Sequence, residues 1–184
     1  MISVRETAME GVLEIRTERF SDERGFFSET WNEDEWRKAG ISLRFVQHNH
    51  SLSRSPGVLR GLHFQRPAAA QDKLVRVTHG SAFDVAVDIR RASPTFGQWV
   101  GVTLSSKAWN QLLIPRGFAH GFVTLEPDTE VQYKVTAPYS PHHELCVRFD
   151  DPAIGVDWPI AANRMTLSDK DRSAPALADV DTGF

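Results

Sequence analysis

Short runs in which apolar and polar residues alternate recur along this chain and limit the folds that it can adopt. The runs are VLEIRT, LRFVQHN, KLVRVTH, FDVAVDI, QWVGVTL, GFVTL and EVQYKV. A period of two is typical of β-strands, whose side chains point to opposite faces in turn. Breaks that contain proline or glycine, such as Ser55-Pro56-Gly57 and Pro115-Arg116-Gly117, separate the runs. The alternation therefore predicts an antiparallel sandwich or barrel.

Two segments have the signals of short helices instead. In NEDEWRKAG, Asn32 can cap the start of a helix and Gly40 can end it. In SDKDRSAPALAD, Ser168 is a second candidate cap, and Pro175 should break or bend the helix that follows. We expect short helices at these two places.

Length and composition exclude several classes of protein. The chain has 184 residues with no internal repeat and no linker, which predicts a single domain over residues 1–184. The one cysteine, Cys146, excludes an internal disulfide, and no stretch approaches the roughly 18 consecutive apolar residues of a membrane span. The charged N-terminal stretch is unlike a signal peptide, so we expect a cytoplasmic protein. A net charge of -3 with mixed signs argues against nucleic acid as a partner.

The segment QHNHSLSRSPGVLRGLHFQ, residues 47–65, is the most unusual polar stretch of the chain. It combines three histidines, two arginines and three amides with few flanking acids, which suits an anionic ligand. Alternation places Gln47 and Asn49 on one face of a strand and His48 and His50 on the other. Only one of these pairs can face a common pocket.

Three further residues are candidates for acid–base chemistry, each with a plain structural alternative. His63 lies between two apolar residues and is either a hydrogen-bonded core histidine or a general base. Lys73 opens a strand as either a solvated cation or a cation that reaches over the same sheet. Tyr133 has the inward parity of a core residue, and because the chain has only two tyrosines, a phenolic acid would be Tyr133 or Tyr139.

Several acids have explanations that need no chemistry. Asp171 follows Ser168 by three residues, which is a pattern similar to a capping box. Asp84 and Asp88 are interpreted as acids at strand edges or in turns.

Metal and nucleotide motifs are incomplete or absent. PRGFAHGF contains the PxGxxH half of a metal-binding motif of the cupin barrels, which ends at His120. The other half, HxH followed by a glutamate, fails at His63 and lacks its glutamate at His48 and His50, so we expect no metal ion. Neither GxxxxGK[ST] nor GxGxxG occurs, and phosphates would have to be held by arginine and lysine.

Taken together, many separate blocks resemble the dTDP-4-dehydrorhamnose 3,5-epimerase family in order and spacing, over nearly the whole chain. The blocks are DERGFFSETW, QHNHSLSRSPGVLRGLHFQ, KLVRVTHGSAFDVAVDIRRASPTFGQWVGVTLS, IPRGFAHGFV, VQYKV and ELCVRFDDPAIGVDWP. The resemblance implies an all-β, cupin-type jelly-roll barrel with short flanking helices, working as a homodimer without metal or organic cofactor. The implied activity is epimerisation at C3 and C5 of dTDP-4-dehydro-6-deoxy-D-glucose to dTDP-4-dehydro-L-rhamnose.

The resemblance also implies roles for individual residues. His63 matches the base, Tyr133 the acid, and Asp171 the carboxylate that orients the histidine. The residues that match substrate contacts are Arg24, Glu29, Gln47, Asn49, Arg60, Lys73, His120, Glu144 and Lys170. Aromatic candidates for stacking on thymine are Phe20, Phe26, Phe27 and Tyr139.

The chain departs from the family pattern mainly after Tyr133. Where the family often has an acid and two tyrosines, this sequence has Thr136-Ala137-Pro138-Tyr139, which affects nucleobase stacking or loop closure. The alternatives are an epimerase of one centre only, a 3,4-ketoisomerase, a noncatalytic sugar-binding cupin and a metal-dependent cupin.

Overall fold

The computed structural model describes residues 2–184. The strands in this range are β1 (Ile2–Glu6), β2 (Leu13–Thr17), β3 (Phe20–Asp22), β4 (Gly25–Phe27), β5 (Gln47–Ser53), β6 (Leu59–Gln65), β7 (Lys73–His79), β8 (Ser81–Asp88), β9 (Trp99–Ser105), β10 (Asn110–Ile114), β11 (Phe118–Thr124), β12 (Thr129–Val135) and β13 (Glu144–Cys146). The α-helices are α1 (Glu33–Lys38) and α2 (Asp169–Arg172), and short 3-10 helices lie at Pro67–Ala69, Ala162–Arg164 and Leu177–Asp179.

Two antiparallel sheets form the body of the protein. The six-stranded sheet has the order β1-β2-β10-β7-β12-β5, and the five-stranded sheet has the order β13-β6-β11-β8-β9. Their facing surfaces share an apolar core, with Val75 and Val131 from the first sheet and Leu104, Phe118 and Phe122 from the second. This architecture confirms the predicted all-β jelly-roll barrel. No helix within residues 2–184 is long and apolar enough to cross a membrane.

The outer faces of both sheets are covered as well. Trp36 of α1 packs with Ile15, Leu74 and Leu113 against the six-stranded sheet, and the C-terminal segment covers the outer face of the five-stranded sheet through residues such as Leu177. A barrel with both faces covered can be apolar on most strand positions, which explains why β8, β10 and β11 are almost entirely buried.

The helix predictions are confirmed at both places. The Asn32 side chain accepts hydrogen bonds from the backbone N–H of Asp34 at 3.1 Å and of Glu35 at 3.2 Å, and Gly40 has a φ of +86° just after the helix end. The C-terminal helix is shorter than its pattern, because α2 ends at Arg172, before Pro175.

One predicted strand begins later than its alternation indicated. In LRFVQHN, only the residues from Gln47 onward belong to β5. Leu43 and Phe45 pack instead against the layer around α1, where the Phe45 ring meets Trp31 at 4.6 Å between centroids. The apolar residues of this run are therefore used for packing outside the ladder.

A separate hairpin, β3–β4, stands beside the barrel as its own two-stranded sheet. Its aromatic side chains are exposed, with Phe20 at 55%, Phe26 at 53% and Phe27 at 69% relative exposure. Trp109 connects the hairpin to the barrel, since its ring contacts Phe26 edge to face at 4.7 Å and its Nε1 donates to Ser28 Oγ at 3.1 Å.

Candidate active site

A cavity of about 590 Å³ lies between the two sheets, a volume typical of small-molecule sites. Residues that the sequence analysis singled out supply its polar lining: Gln47 and Asn49 on β5, Arg60 and His63 on β6, Lys73 on β7, His120 on β11, Tyr133 on β12, Tyr139, Glu144 on β13 and Asp171 on α2. The fold therefore brings together side chains that are far apart in the sequence.

His63 and Asp171 form a hydrogen-bonded pair in this cavity. The His63 Nε2 and Asp171 Oδ1 atoms are 2.5 Å apart, and the two residues are 108 positions apart in sequence. Burial would raise the pKa of Asp171, but the hydrogen bond and the charge of His63 outweigh it and hold the pKa below its usual value. The carboxylate fixes the imidazole ring and leaves Nδ1 as the nitrogen free to take a proton from a ligand.

The capping interpretation of Asp171 is also correct. Ser168 Oγ accepts a hydrogen bond from the Asp171 backbone N–H at 3.1 Å. The start of α2 thus holds the backbone of Asp171, while its side chain, only 4% exposed, points to His63. One residue serves the helix end and the site.

A close approach of β6 and β11 places His63 opposite His120. Gly61 has a φ of +129°, and a Cβ there would lie 2.6 Å from Gly121 Cα. A Cβ on Gly121 would in turn lie 2.8 Å from the Arg60 carbonyl oxygen. Only glycine fits at both positions, so this pair of glycines sets the distance between the two histidine-bearing strands.

Lys73 reaches the same cavity from the opposite sheet. Its Nζ donates to the His63 carbonyl oxygen at 3.4 Å. Burial lowers the pKa of Lys73 to about 8, and the negative charges of Asp84 and Glu144 oppose this change. The charge of this amine at neutral pH therefore depends on the acids that surround it.

The interpretation of Asp84 as a strand-edge or turn acid is wrong. Asp84 lies in the middle of β8 and is 1% exposed, and both of its carboxylate oxygens are 3.0 Å from His120 Nε2. Its alternation with Ala82 and Ala86, which belong to the core between the sheets, points it inward. That inward parity in an otherwise apolar run was the sequence signal for a buried acid. Asp88 differs, because it accepts hydrogen bonds at the strand end as a turn acid does.

Tyr133 lines the cavity from β12 as its parity predicted. Burial raises the pKa of its phenol, the charge of Glu144 raises it further, and Arg60 opposes the change. The phenol is therefore protonated at neutral pH and can act as a proton donor.

The mouth of the cavity carries a hydrogen-bonded group of polar side chains. The Tyr139 hydroxyl donates to Glu144 Oε2 at 2.9 Å, and Lys170 forms an ion pair with the same carboxylate. The backbone N–H of Tyr139 donates to Gln47 Oε1 at 2.9 Å, while Gln47 Nε2 donates to Asn49 Oδ1 at 2.8 Å. These contacts hold the loop after β12 against β5, although Pro138 replaces an aromatic residue of the family pattern.

The structure of one chain does not bring three predicted substrate contacts to the cavity. Arg24, Phe27 and Glu29 lie on or next to the β3–β4 hairpin, where Arg24 hydrogen-bonds to Asp22. The physical reason is that β3 and β4 pair only with each other, and the hairpin that they form packs against Trp109 and not against the strands that line the cavity. His48 and His50 point to solvent, as the alternation predicted for the pair that does not face the pocket.

The residues described by the structure include no cluster of three or more His, Cys, Asp or Glu side chains arranged to hold a metal ion.

Comparisons with known proteins show what the whole chain is similar to. The sequence profile of the dTDP-4-dehydrorhamnose 3,5-epimerase family matches residues 6–179. The dTDP-4-dehydrorhamnose 3,5-epimerase of Salmonella typhimurium is 52% identical over 178 residues, which cover 96% of this chain and 96% of that protein.

Solved structures are similar over most of their length. The crystal structure of a dTDP-6-deoxy-D-glucose-3,5-epimerase from Legionella pneumophila, in complex with dTDP-4-keto-L-rhamnose, has a TM-score of 0.94 at 44% identity and covers 98% of this chain and 95% of that one. A 3'-monoepimerase from Streptomyces bikiniensis, in complex with dTDP-quinovose, has a TM-score of 0.86 at 32% identity and covers 94% of this chain and 86% of that one. Because the profile spans most of the chain and the Salmonella relative is about half identical over nearly its full length, this chain belongs to the dTDP-4-dehydrorhamnose 3,5-epimerase family.

Proposed function

We propose that this chain epimerises C3 and C5 of dTDP-4-dehydro-6-deoxy-D-glucose to give dTDP-4-dehydro-L-rhamnose. The observation that carries the proposal is the convergence of the His63–Asp171 pair and the protonated Tyr133 on one cavity, from different strands. A histidine base and a phenolic acid held apart on a rigid barrel suit the removal of a proton from one face of a ring and its return to the other.

The 4-keto group makes this chemistry possible without a change of oxidation state. His63 removes the proton from the carbon next to the carbonyl, and the electron pair of the C–H bond moves onto the keto oxygen as an enolate. Lys73 stabilises the negative charge on that oxygen. Tyr133 then protonates the same carbon from the opposite face, the carbonyl re-forms, and the stereocentre is inverted.

The remaining polar groups suit the nucleotide part of the substrate. Arg60 at the cavity and Lys170 at its mouth can hold the diphosphate, since guanidinium and ammonium groups are suited to oxyanions. Tyr139 is half exposed at the mouth and offers a ring for stacking on thymine.

A homodimer is part of the proposal. In one chain, Arg24, Phe27 and Glu29 lie outside the cavity lining, on or next to a hairpin whose exposed aromatic rings suit burial against another protein surface. A second copy of this chain could bring these residues to a cavity that they do not reach in their own chain. We treat residues 1–184 as one catalytic domain and propose a cytoplasmic location, which suits a chain with a single free cysteine.

The test is NMR of dTDP-4-keto-6-deoxyglucose incubated with the protein in D2O, followed by addition of a rhamnose-forming reductase. We expect deuterium at C3 and at C5, and dTDP-L-rhamnose after the reductase. Deuterium at only one carbon would replace the proposal with an epimerase of a single centre, an activity that the structural similarity to a 3'-monoepimerase also accommodates. Deuterium at neither carbon would refute an epimerase.

A further inference from the structure

Asp84 is the buried acid of the barrel that lies behind the cavity lining and close to two of the lining residues. It projects inward from the middle of β8, and β8 pairs with β11, the strand that carries His120. Its carboxylate contacts His120 Nε2 through both oxygens. His120 is paired with His63 across β11 and β6, and the carbonyl oxygen of His63 accepts a hydrogen bond from Lys73 Nζ, so the negative charge of Asp84 acts on that amine. No role was assigned to it in the mechanism above.

We propose that Asp84 is the positioning residue that holds Lys73 as an ammonium ion and His120 in a single neutral tautomer. This inference rests on the proposed function, because it concerns how the enolate-stabilising cation is kept in place. Asp84 itself lies behind the cavity lining and does not touch the substrate.

The first part of the argument concerns charge. A lysine ammonium in a poorly solvated cavity is destabilised unless an opposite charge lies close to it. Two negative charges raise the pKa of Lys73 against the effect of burial, that of Asp84 more than that of Glu144. Glu144 already forms an ion pair with the cation Lys170, whereas the partner of Asp84 is a neutral imidazole, so the negative charge of Asp84 is the less compensated of the two.

The second part concerns the tautomer of His120. A carboxylate can only accept a hydrogen bond, so the ring donates its Nε2 proton to Asp84 and presents Nδ1 without a proton. Burial lowers the pKa of His120, and the charges of Lys73 and His63 lower it further, while Asp84 opposes them. The ring therefore stays neutral beside a charged lysine, and Nδ1 can accept a hydrogen bond from a sugar hydroxyl.

Charged and titratable side chains on three further strands line the cavity beside Lys73 and His120. Arg60 and His63 lie on β6, Glu144 lies on β13, and Tyr133 lies diagonal to Lys73 on the neighbouring strand β12. Glu144 is the other acid among them, and it lies on the side of the cavity mouth. Removing the charge of Asp84 leaves Lys73 with only that weaker partner.

The direct test is an NMR titration of Lys73 in the protein labelled with 13C at the lysine Cε, which five lysines in the chain make tractable. We expect a pKa of about 8 in the wild type and below about 7 in Asp84→Asn, since an opposite charge at close range raises a cation's pKa by roughly one to three. An unchanged pKa of Lys73 in the variant would overturn the proposal.

The functional test is the pH dependence of kcat/KM for epimerisation. If the pKa of Lys73 falls from about 8 to about 6.5, the ammonium fraction at pH 7.5 falls about eightfold, whereas at pH 6 it falls by less than about twofold. The ratio of wild-type to Asp84→Asn activity should therefore rise with pH. A variant that is merely less well folded would lose activity by the same factor at each pH, and that result would refute the proposal.

Two variants serve as controls. Asp88→Asn removes a buried acid from the same strand that bonds to turn residues and not to the cavity, so its activity ratio should not depend on pH. Asp84→Glu keeps the charge and should keep the wild-type pH profile even if its rate is lower; an alkaline loss like that of Asp84→Asn would contradict the inference.

A third measurement needs no variant and covers the case in which Asp84→Asn does not fold. The 15N chemical shifts of His120 at pH 7 should report a neutral ring protonated on Nε2. A ring protonated on Nδ1, or on both nitrogens, would overturn the proposal. An inactive wild-type protein would refute the proposed epimerase, while the Lys73 titration and the His120 shifts would still decide the role of Asp84.

Discussion

Replacing Tyr133 with phenylalanine should separate inversion from proton exchange. The ring packs against the apolar core between the sheets, and within residues 2–184 its hydroxyl makes no hydrogen bond to protein, so the substitution keeps the packing and leaves no partner unsatisfied. We expect the free energy of unfolding to change by less than about 1 kcal/mol. A positioned acid contributes about 100- to 10,000-fold to a proton transfer, which corresponds to roughly 3 to 5 kcal/mol of activation free energy.

In Tyr133→Phe, we expect the rate of formation of the inverted product to fall and proton exchange with solvent to continue. His63 can still remove a proton, exchange it with solvent and return it to the same face, so in D2O the substrate of Tyr133→Phe should gain deuterium with its configuration retained. Formation of the inverted product, measured with the coupled reductase, should fall by at least about 100-fold.

Tyr139→Phe is the matched control, because it also removes one phenolic hydroxyl, but at the cavity mouth. It should raise KM and leave kcat near the wild-type value, since that hydroxyl bonds to Glu144 and not to the reacting carbon. If Tyr133→Phe formed inverted product at the wild-type rate, Tyr133 would not be the acid. If Tyr133→Phe abolished deuterium exchange as well, Tyr133 would also be needed for proton removal, and the division of the two proton transfers between His63 and Tyr133 would be wrong.

Three further predictions concern the base, a buried acid at the end of β8, and the close approach of β6 and β11. His63→Ala should abolish deuterium incorporation at C3 and C5 while the circular dichroism spectrum is unchanged, and exchange at the wild-type rate would show that His63 is not the base. Hydrogen bonds outweigh the effect of burial and lower the pKa of Asp88 to about 2. Because this pKa lies below the unfolded value of about 4, the ionised Asp88 stabilises the folded protein by about 2 kcal/mol above pH 4, and this contribution is lost as the pH falls toward 2. Urea unfolding of wild type and Asp88→Asn should therefore differ at pH 7 and converge near pH 2, and a constant difference would contradict this. Gly61→Ala should cost more than about 3 kcal/mol, because its Cβ meets Gly121 Cα at 2.6 Å in addition to the strain of a positive φ. Gly97→Ala has a positive φ of +76° but no atom within 4 Å and should cost only the backbone strain of about 1 to 2 kcal/mol, and equal costs would show that the close approach is not what requires glycine.

The strands were predictable because successive side chains alternate between the core of the barrel and the outer face of each sheet. KLVRVTH coincides with β7, and Tyr133 faces the cavity as its parity with Val131 indicates. Alternation alone could not distinguish residues that pair in a ladder from residues that pack under a helix, and that is why the strand predicted from Leu43 begins at Gln47.

The site was harder to predict because its contacts depend on topology. Asp171 has a complete local explanation as a capped helix residue, and only the fold brings it 2.5 Å from a histidine 108 positions away. The resemblance identified this pair, whereas periodicity did not. Asp84 was missed for the opposite reason: its inward parity was visible in the sequence, but an isolated acid in a strand has no partner until β8 and β11 are paired.

The barrel contains two histidine–aspartate pairs, His63–Asp171 and His120–Asp84, and the two histidines differ in burial. His63 keeps 27% of its side chain exposed and faces the cavity with one nitrogen free, so it can take a proton from a ligand and exchange it with solvent. His120 is 8% exposed, and burial lowers its pKa, so protonating it inside the barrel beside Lys73 is unfavourable. A base must change its charge during turnover, and the surroundings of His120 oppose such a change. These differences support the proposal that the pair with Asp84 is a fixed element of the electrostatic field and that the pair with Asp171 exchanges protons.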